Sequence, residues 1–265
     1  MPKITKVLAI TPVFKEPVDM IQVFDIKMEL VQNALRERGV ELLRFYLCDG
    51  GTSVENTSRM ESPIPLISHE QNVGLAHTLV DGYKEAIRVY QADLIIIRLD
   101  VQEHDPWKIL EIVDVMEHTD AEALFLPVYY WVEGQLRPSM REVQSRINDF
   151  SNSLAPINQL DVLSTYNQIF PLGYQAFRSD LLQKLVPMLE EGLVLCREIT
   201  GKPATWGLDL LVILLAARMG VKIDSFFGGW STPWLENRTA EHIANQREKA
   251  RVMVEVAKAL GCPVK

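Results

Sequence analysis

The chain contains the segment Arg98-Leu99-Asp100-Val101-Gln102-Glu103-His104-Asp105-Pro106, in which several acids follow directly on an apolar run. That run, Leu94-Ile95-Ile96-Ile97, predicts a buried strand. Because ligands of open α/β sheets bind outside the carboxyl ends of the strands, Asp100 is a candidate site residue. Closely spaced oxygen ligands suit Mg²⁺ or Mn²⁺ carrying a diphosphate. Asp105 and Pro106 also have a structural interpretation, as the N-cap and first residue of the next helix, and we expect both interpretations to hold.

The composition is that of an ordinary globular protein, with 265 residues, 48% apolar and 23% charged. A net charge of −8 and a pI near 5.2 argue against a nucleic-acid-binding surface. The three cysteines, Cys48, Cys196 and Cys262, are scattered, which predicts a cytoplasmic location without disulfides. No signal peptide precedes the first strand, and the apolar run at 208–219 is too short to span a bilayer. We therefore expect no integral membrane segment.

Strand and helix patterns alternate along the chain, which predicts an α/β fold with a mostly parallel central sheet flanked by helices. We expect strands at 6–12, 41–48, 64–68, 94–97, 123–129, 169–173 and 221–227. We expect helices at 18–38, 72–90, 140–154, 179–191, 206–219 and 236–260, a further helix after Pro106, and a hairpin at 133–134. The chain shows no repeat, low-complexity segment or linker, so the sequence predicts one continuous domain.

Four segments of the first half together resemble the family 2 glycosyltransferases, which have the GT-A nucleotide-sugar-binding fold. They are Ile10-Thr11-Pro12-Val13-Phe14-Lys15-Glu16, Cys48-Asp49-Gly50-Gly51-Thr52-Ser53, Asn72-Val73-Gly74-Leu75-Ala76 with Gly82, and the acids around Asp100. Their order and spacing match that family over about residues 5–110. The resemblance implies a single GT-A domain over 1–265. About 1–128 would form the nucleotide-sugar-binding half, and about 129–265 the acceptor-side half with a C-terminal helix.

The resemblance also implies which residues bind the donor. These are Pro12, Glu16, Asp49, Asn72, Gly74 and Asp100. Asp49 would hydrogen-bond the nucleobase, Pro12 and Glu16 would line the nucleotide pocket, and Asp100 would contact the ribose or the metal. Two structural alternatives stay open, since Asp49 could cap the turn at Gly50-Gly51 and Glu16 could be an exposed loop residue.

The second half resembles the same family less closely. The segment 173–178 is similar to the strand and turn beneath the acceptor site in dolichol-phosphate-mannose-synthase-like members. Trp206-Gly207-Leu208-Asp209 stands in the place of the acidic motif that supplies the catalytic base in inverting members. The resemblance therefore implies Asp209 as the base, with Gly173, Trp206 and Gly207 on the acceptor side. Alternatively, Asp209 is a first-turn acid favoured by the helix dipole and Trp206 is a core aromatic.

The metal motif departs from the family pattern, which is usually Asp-x-Asp. Here Gln102 occupies the second acidic position, and the next acid is Glu103. The implied Mg²⁺ or Mn²⁺ ligands are Asp100, Glu103 and, from the C-terminal region, His242. Either Glu103 substitutes for the missing acid, or the metal binds weakly, or the metal motif is lost. Arg137, Arg141 and Arg178 are candidates for phosphate contacts.

The resemblance implies a hexosyltransferase that moves a sugar from a UDP- or GDP-sugar to a hydroxyl acceptor, a small molecule or a lipid phosphate, with inversion. Two alternatives remain: a retaining GT-A transferase of the mannosylglycerate synthase type, and a GT-A-like domain that binds a nucleotide or a partner without catalysis. The oligomeric state is open, a homo-oligomer included. The phosphate-binding loops G-x-x-x-x-G-K and G-x-G-x-x-G are both missing from the sequence.

Overall fold

The computed structural model describes residues 3–14, 16–50, 65–90, 95–99, 101, 104–126, 128–130, 174–204, 207–224, 229–231 and 240–262. At 65–66, 95–98, 128–130, 209, 229–231, 240–247 and 249–250 it describes the backbone alone. The strands are β1 (Lys6–Val13), β2 (Glu41–Asp49), β3 (Pro65–His69), β4 (Ile95–Arg98), β5 (Ala123–Leu126), β6 (Val128–Tyr130), β7 (Tyr174–Arg178), β8 (Ile223–Asp224) and β9 (Gly229–Ser231). The helices are α1 (Val18–Glu37), α2 (Leu75–Val89), α3 (Lys108–His118), α4 (Ser179–Thr200), α5 (Leu208–Arg218) and α6 (Ala240–Ala259).

Seven strands form the central sheet in the order β3-β2-β1-β4-β7-β5-β8. The first four in this order run parallel, as do β5 and β8, whereas β7 is antiparallel to both of its neighbours. A second, smaller sheet pairs β6 with β9. This arrangement confirms the predicted α/β fold with a mostly parallel central sheet.

Helices cover both faces of the sheet because the side chains of β1 alternate between two cores. Leu8 and Ile10 join the core formed with α2, α4 and α5. Val7 and Ala9 join the core formed with α1 and α3. All four side chains are at most 1% exposed, so β1 lies at the centre of the fold and fixes the position of the loop that follows it.

The chain order reverses between β1 and β4. From β1 the chain proceeds outward to β2 and β3, then returns through α2 to β4 on the other side of β1. Such a switch point leaves a crevice at the carboxyl ends of the two strands, where ligands of α/β sheets bind. The end of β4 is fixed there, since the Leu99 N–H donates to the Ile10 carbonyl at 2.9 Å.

Two helices differ from the sequence prediction. We expected α4 to end at 191, but it continues through Gly192 to Thr200. A methyl group on Gly192 would lie 2.5 Å from Leu211 Cδ2, so this glycine allows α4 to pack against α5 and does not end the helix. Helix α3 begins at Lys108, after a tighter turn in which the Lys108 N–H donates to the Asp105 carbonyl. The turn at Asp105 and Pro106 therefore comes first, and α3 begins directly after it.

The remaining sequence predictions for elements fall into two groups. The strand predicted at 123–129 is divided into β5 and β6, which belong to different sheets. The hairpin at 133–134, the helix at 140–154 and the strand at 169–173 lie outside the described residues. Within the described part, no helix is long and apolar enough to cross a membrane. All three cysteines fall in the described part, and each is free and buried.

Gly82 on α2 marks the closest approach of that helix to β2. A methyl group there would lie 2.5 Å from Leu47 Cδ1 and 2.7 Å from Cδ2, and Leu47 is fully buried. We expect Gly82→Ala to lower the free energy of unfolding by about 1–3 kcal/mol through overpacking. This holds although alanine is the better helix former by about 1 kcal/mol. Urea unfolding of the two proteins measures the difference.

A double-mutant cycle supplies the control for this substitution. Leu47→Ala removes the two methyl groups that the new side chain would meet. Combined with Gly82→Ala, it should therefore destabilise less than the sum of the single variants. Strictly additive losses would show that α2 and β2 do not meet at this point.

Candidate functional site

Asp49 connects two of the sequence motifs at the carboxyl edge of the sheet. It is the last residue of β2 and only 5% exposed. Its Oδ1 accepts the Val73 N–H at 2.8 Å, and its Oδ2 accepts the Gly74 N–H at 3.1 Å. Both donors lie immediately before α2, so the carboxylate binds free N–H groups at the start of that helix and favours its dipole. The structural role of Asp49 is thus to hold the segment that leads into α2.

Gly74 adopts the backbone conformation that this connection requires. Its φ is +92°, a region that residues with a side chain rarely occupy. Asn72, two residues earlier, is exposed, and its backbone N lies 3.3 Å from where a Cβ on Gly50 would be. Three predicted donor-site residues, Asp49, Asn72 and Gly74, are therefore brought together on one side of the switch point.

The end of β1 and the loop after it bring two further predicted residues, Pro12 and Glu16, to the same edge. Pro12 is buried within β1 and pairs in register with Leu47 of β2. The Glu16 carboxylate accepts the Phe14 N–H at 2.6 Å, so it shapes the loop that follows the strand. Glu16 is half-buried in the loop that leads to α1, and its role in the donor site stays a prediction.

The described end of the loop after β4, at His104 and Asp105, contacts β7. The Tyr174 hydroxyl donates to the Asp105 carbonyl at 3.0 Å, and the ring of His104 stacks on that of Tyr174 with centroids 4.6 Å apart. Tyr174 is fully buried, and burial raises the pKa of its hydroxyl well above its ordinary value. Asp105 Oδ1 accepts the Trp107 N–H at 3.3 Å and so caps the turn that leads into α3.

Several predicted residues lie outside what the structure describes. Asp100, Gln102, Glu103, Gly173 and Trp206 are among them. For Asp209 on α5 and His242 on α6 the backbone alone is described. In the described part of the chain, no group of three His, Cys, Asp or Glu side chains could hold a metal ion. The metal ligands therefore stay a prediction from the sequence.

Gly207 precedes α5 and has a packing role in this fold. Its φ is +95°, and a methyl group on it would lie 2.7 Å from Met253 Cγ of α6. The missing side chain is thus needed for the close approach of the C-terminal helix. Its predicted place on the acceptor side stays a prediction.

Arg178 lies at the other edge of the sheet. Its guanidinium donates to the carbonyls of Met116 at 2.6 Å and Ala121 at 3.2 Å, which satisfies the end of α3. In register it pairs with Ile95, the first residue of β4, whereas the candidate site lies beyond the last. The interpretation of Arg178 as a phosphate ligand is therefore wrong. Arg137 and Arg141 lie outside the described residues.

Sequence reasoning overlooked His69, the last residue of β3. Its Nδ1 lies 3.8 Å from Asp49 Oδ1, and its Nε2 lies 3.4 Å from Asp81 Oδ2. The available signal was a polar residue at the end of a strand, close before Asn72.

Comparison with solved structures finds a similar fold in several proteins. Glucosyl-3-phosphoglycerate synthase of M. tuberculosis aligns with a TM-score of 0.58 and 14% identity, over 98% of this chain and 82% of that one. A mycobacterial protein aligns at 0.55 and 16%, over 98% and 76%. CMP:2-keto-3-deoxy-manno-octonic acid synthetase, solved with CTP, aligns at 0.51 and 13%, over 94% and 99%.

No family model matches the chain, and no curated protein matches its sequence. The identities to the solved structures are low, so the likeness establishes architecture. The chain has the fold of the nucleotide-diphospho-sugar transferases, a mixed α/β sheet flanked by helices.

Proposed function

We propose that the protein is a glycosyltransferase that moves a hexosyl group from a UDP- or GDP-sugar to a hydroxyl of a small molecule or a lipid phosphate. The observation that carries the proposal is the junction of Asp49 with Val73 and Gly74. It assembles two donor-site motifs beside the switch point of a nucleotide-diphospho-sugar transferase fold. The order of the motifs along the chain supports the same assignment.

Asp49 has acceptor capacity left for a nucleobase. A carboxylate oxygen offers two lone pairs, and each oxygen of Asp49 accepts one backbone N–H. The N–H edge of a uracil or guanine could therefore bind without displacing either backbone donor. The two backbone bonds hold the carboxylate in one orientation, which reduces the ordering cost of binding.

The reaction requires two further tasks. Charge that develops on the leaving diphosphate must be neutralised, and the acceptor hydroxyl must lose its proton. We assign the first to Asp100 and Glu103, with His242, through Mg²⁺ or Mn²⁺, which when bound supplies positive charge at the diphosphate. We assign the second to Asp209, with Gly173, Trp206 and Gly207 around the sugar and acceptor.

Thermal shift with nucleotides tests this proposal. UDP or GDP, each with Mg²⁺ or Mn²⁺, should raise the Tm, since a ligand that binds only the folded state stabilises it. Hydrolysis of a panel of nucleotide sugars then names the donor, and the stereochemistry of the product separates inversion from retention. No shift with any nucleotide would favour a non-catalytic domain.

Nucleotidyl transfer is a second candidate, because the synthetase solved with CTP shares the fold over nearly its whole length. The two reactions differ in their products. A nucleotidyltransferase joins a nucleoside triphosphate to a sugar acid or sugar phosphate and releases pyrophosphate. A glycosyltransferase releases a nucleoside diphosphate from a nucleotide sugar. Release of pyrophosphate from CTP, UTP or GTP, together with no release of nucleoside diphosphate from nucleotide sugars, would overturn the glycosyltransferase assignment.

Asp49→Ala should affect both stability and binding. The variant leaves two N–H groups before α2 without their acceptor, so we expect the free energy of unfolding to fall by about 2 kcal/mol. Affinity for free UDP or GDP should fall by at least about tenfold. Affinity for the intact donor should fall by the same factor, because the free nucleotide and the donor make the same contact to the nucleobase. Calorimetry and urea unfolding measure the two effects.

Asp49→Asn is the matched control for that variant. It keeps the shape and one acceptor oxygen, so its stability should lie between those of the wild type and Asp49→Ala. Unchanged nucleotide affinity in a folded Asp49→Ala protein would remove Asp49 from the donor site.

A further inference from the structure

His69 lies beside Asp49 at the edge of the sheet nearest the predicted nucleobase. The two residues are register partners across β2 and β3. The strand pairing shifts between Tyr46 and Leu47, where one extra residue of β3 is accommodated. Without that shift, Ser68 would stand opposite Asp49. Such bulges re-aim side chains and are frequent beside active sites, so the irregularity is what brings the imidazole to the carboxylate.

The imidazole ring connects two carboxylates that belong to different elements. Nδ1 faces Asp49 Oδ1 at 3.8 Å and the Thr78 hydroxyl at 3.4 Å, while Nε2 lies 3.4 Å from Asp81 Oδ2. The His69 side chain is 18% exposed, that of Asp49 7% and that of Asp81 46%. In the described chain, these two carboxylates are the charged groups within 4.0 Å of the ring from the elements packed on β3.

We propose that His69 is a positioning residue that holds the Asp49 carboxylate for the nucleobase. The inference rests on the proposed function, in which Asp49 binds the base. Val73 and Gly74 hold the carboxylate from one side, and His69 stands against Oδ1 from the strand side. Asp81 and Thr78 in turn fix the ring. The Asp49 carboxylate thereby has the backbone N–H groups on one side and the imidazole on the other.

Two isosteric variants separate the contacts. In His69→Asn the amide nitrogen takes the place of Nδ1 and faces Asp49, whereas in His69→Gln it takes the place of Nε2 and faces Asp81. If the ring acts through Asp49, His69→Asn should keep most of the wild-type affinity, and His69→Gln should lose about fivefold. A greater loss in His69→Asn than in His69→Gln would overturn the proposal.

The experiment is calorimetric titration with UDP-glucose and GDP-mannose. His118→Gln, which changes an exposed histidine at the end of α3, should keep the wild-type affinity. Wild-type affinity in a folded His69→Gln protein would overturn the inference, and so would an equal loss in both His69 variants, because a merely structural role predicts no rescue by asparagine.

A double variant with Asp49→Asn distinguishes this inference from the proposed function. If His69 acts through Asp49, His69→Gln should have no further effect on affinity once Asp49 is changed. If the wild type binds neither probe, the proposed function itself fails. If it binds, and Asp49→Asn weakens binding while the His69 variants do not, the role of His69 alone is refuted.

Discussion

Asp100→Asn is expected to lower turnover by at least about a hundredfold, which corresponds to roughly 2.7 kcal/mol of transition-state stabilisation. Asp100 directly follows Leu99, whose N–H is bonded to the β1 carbonyl of Ile10 at the switch point. A carboxylate at that place can contact the ribose or a metal on the diphosphate. Its amide keeps the size and loses the charge, so the loss should appear in donor binding and turnover. Steady-state kinetics with the donor found by the screen measures it.

Asp105→Ala is the matched control, because the structure gives the helix-starting role to Asp105 and its cap of the Trp107 N–H. That variant should lose about 1 kcal/mol of stability and keep its activity. If Asp100→Asn turned over at a near-normal rate, the acids after β4 would serve only to start α3. The control therefore separates the two interpretations that the sequence alone permitted.

The sheet could be predicted from the sequence where local patterns determine it. Strands β1, β2 and β4 are apolar runs followed by a turn or by acids, and their predicted limits agree with the structure to within one or two residues. The same holds for α1, which has a clear 3.6-residue period of buried side chains. Gly192 shows where such reasoning fails, because its role depends on a helix that follows it in the sequence.

The site could be predicted only in part, since its residues meet through long-range register. The motifs at Asp49 and Gly74 were recognisable separately, but their hydrogen bond crosses 25 positions. The approach of His69 to Asp49 depends on a shift in the pairing of β2 with β3, which no periodicity in the sequence reveals. Arg178 was predicted to contact a phosphate because it is a basic residue inside a motif. The antiparallel direction of β7 places it at the opposite edge of the sheet, so the strand direction decided against that prediction.

The second large effect is expected at Asp209 on α5. From Leu210 to Ala217 the side chains of this helix are at most 7% exposed, so it is an almost wholly buried apolar segment. An acid in the first turn of a helix gains from the helix dipole. We predict that Asp209 is the base that takes the proton of the acceptor hydroxyl.

Asp209→Asn should therefore keep the donor affinity of the wild type and lose about 10² to 10⁴ in the rate of transfer to the acceptor. Slow hydrolysis of the donor should survive, because water can react without that base. Binding by calorimetry, transfer and hydrolysis measured on one preparation give the three quantities. Asp180→Asn is the matched control, since Asp180 is the exposed first-turn acid of α4 and tests the contribution of a carboxylate at a helix start.

The outcomes at Asp209 distinguish three mechanisms. Loss of transfer with intact donor binding supports an inverting reaction in which this carboxylate removes the acceptor proton. Transfer at a near wild-type rate in a folded variant eliminates Asp209 and favours the retaining alternative, which needs no such base. A variant that unfolds, while Asp180→Asn stays folded, assigns Asp209 to the start of α5. Its carboxylate would then stabilise the buried helix, and the acceptor base would have to be sought on another element.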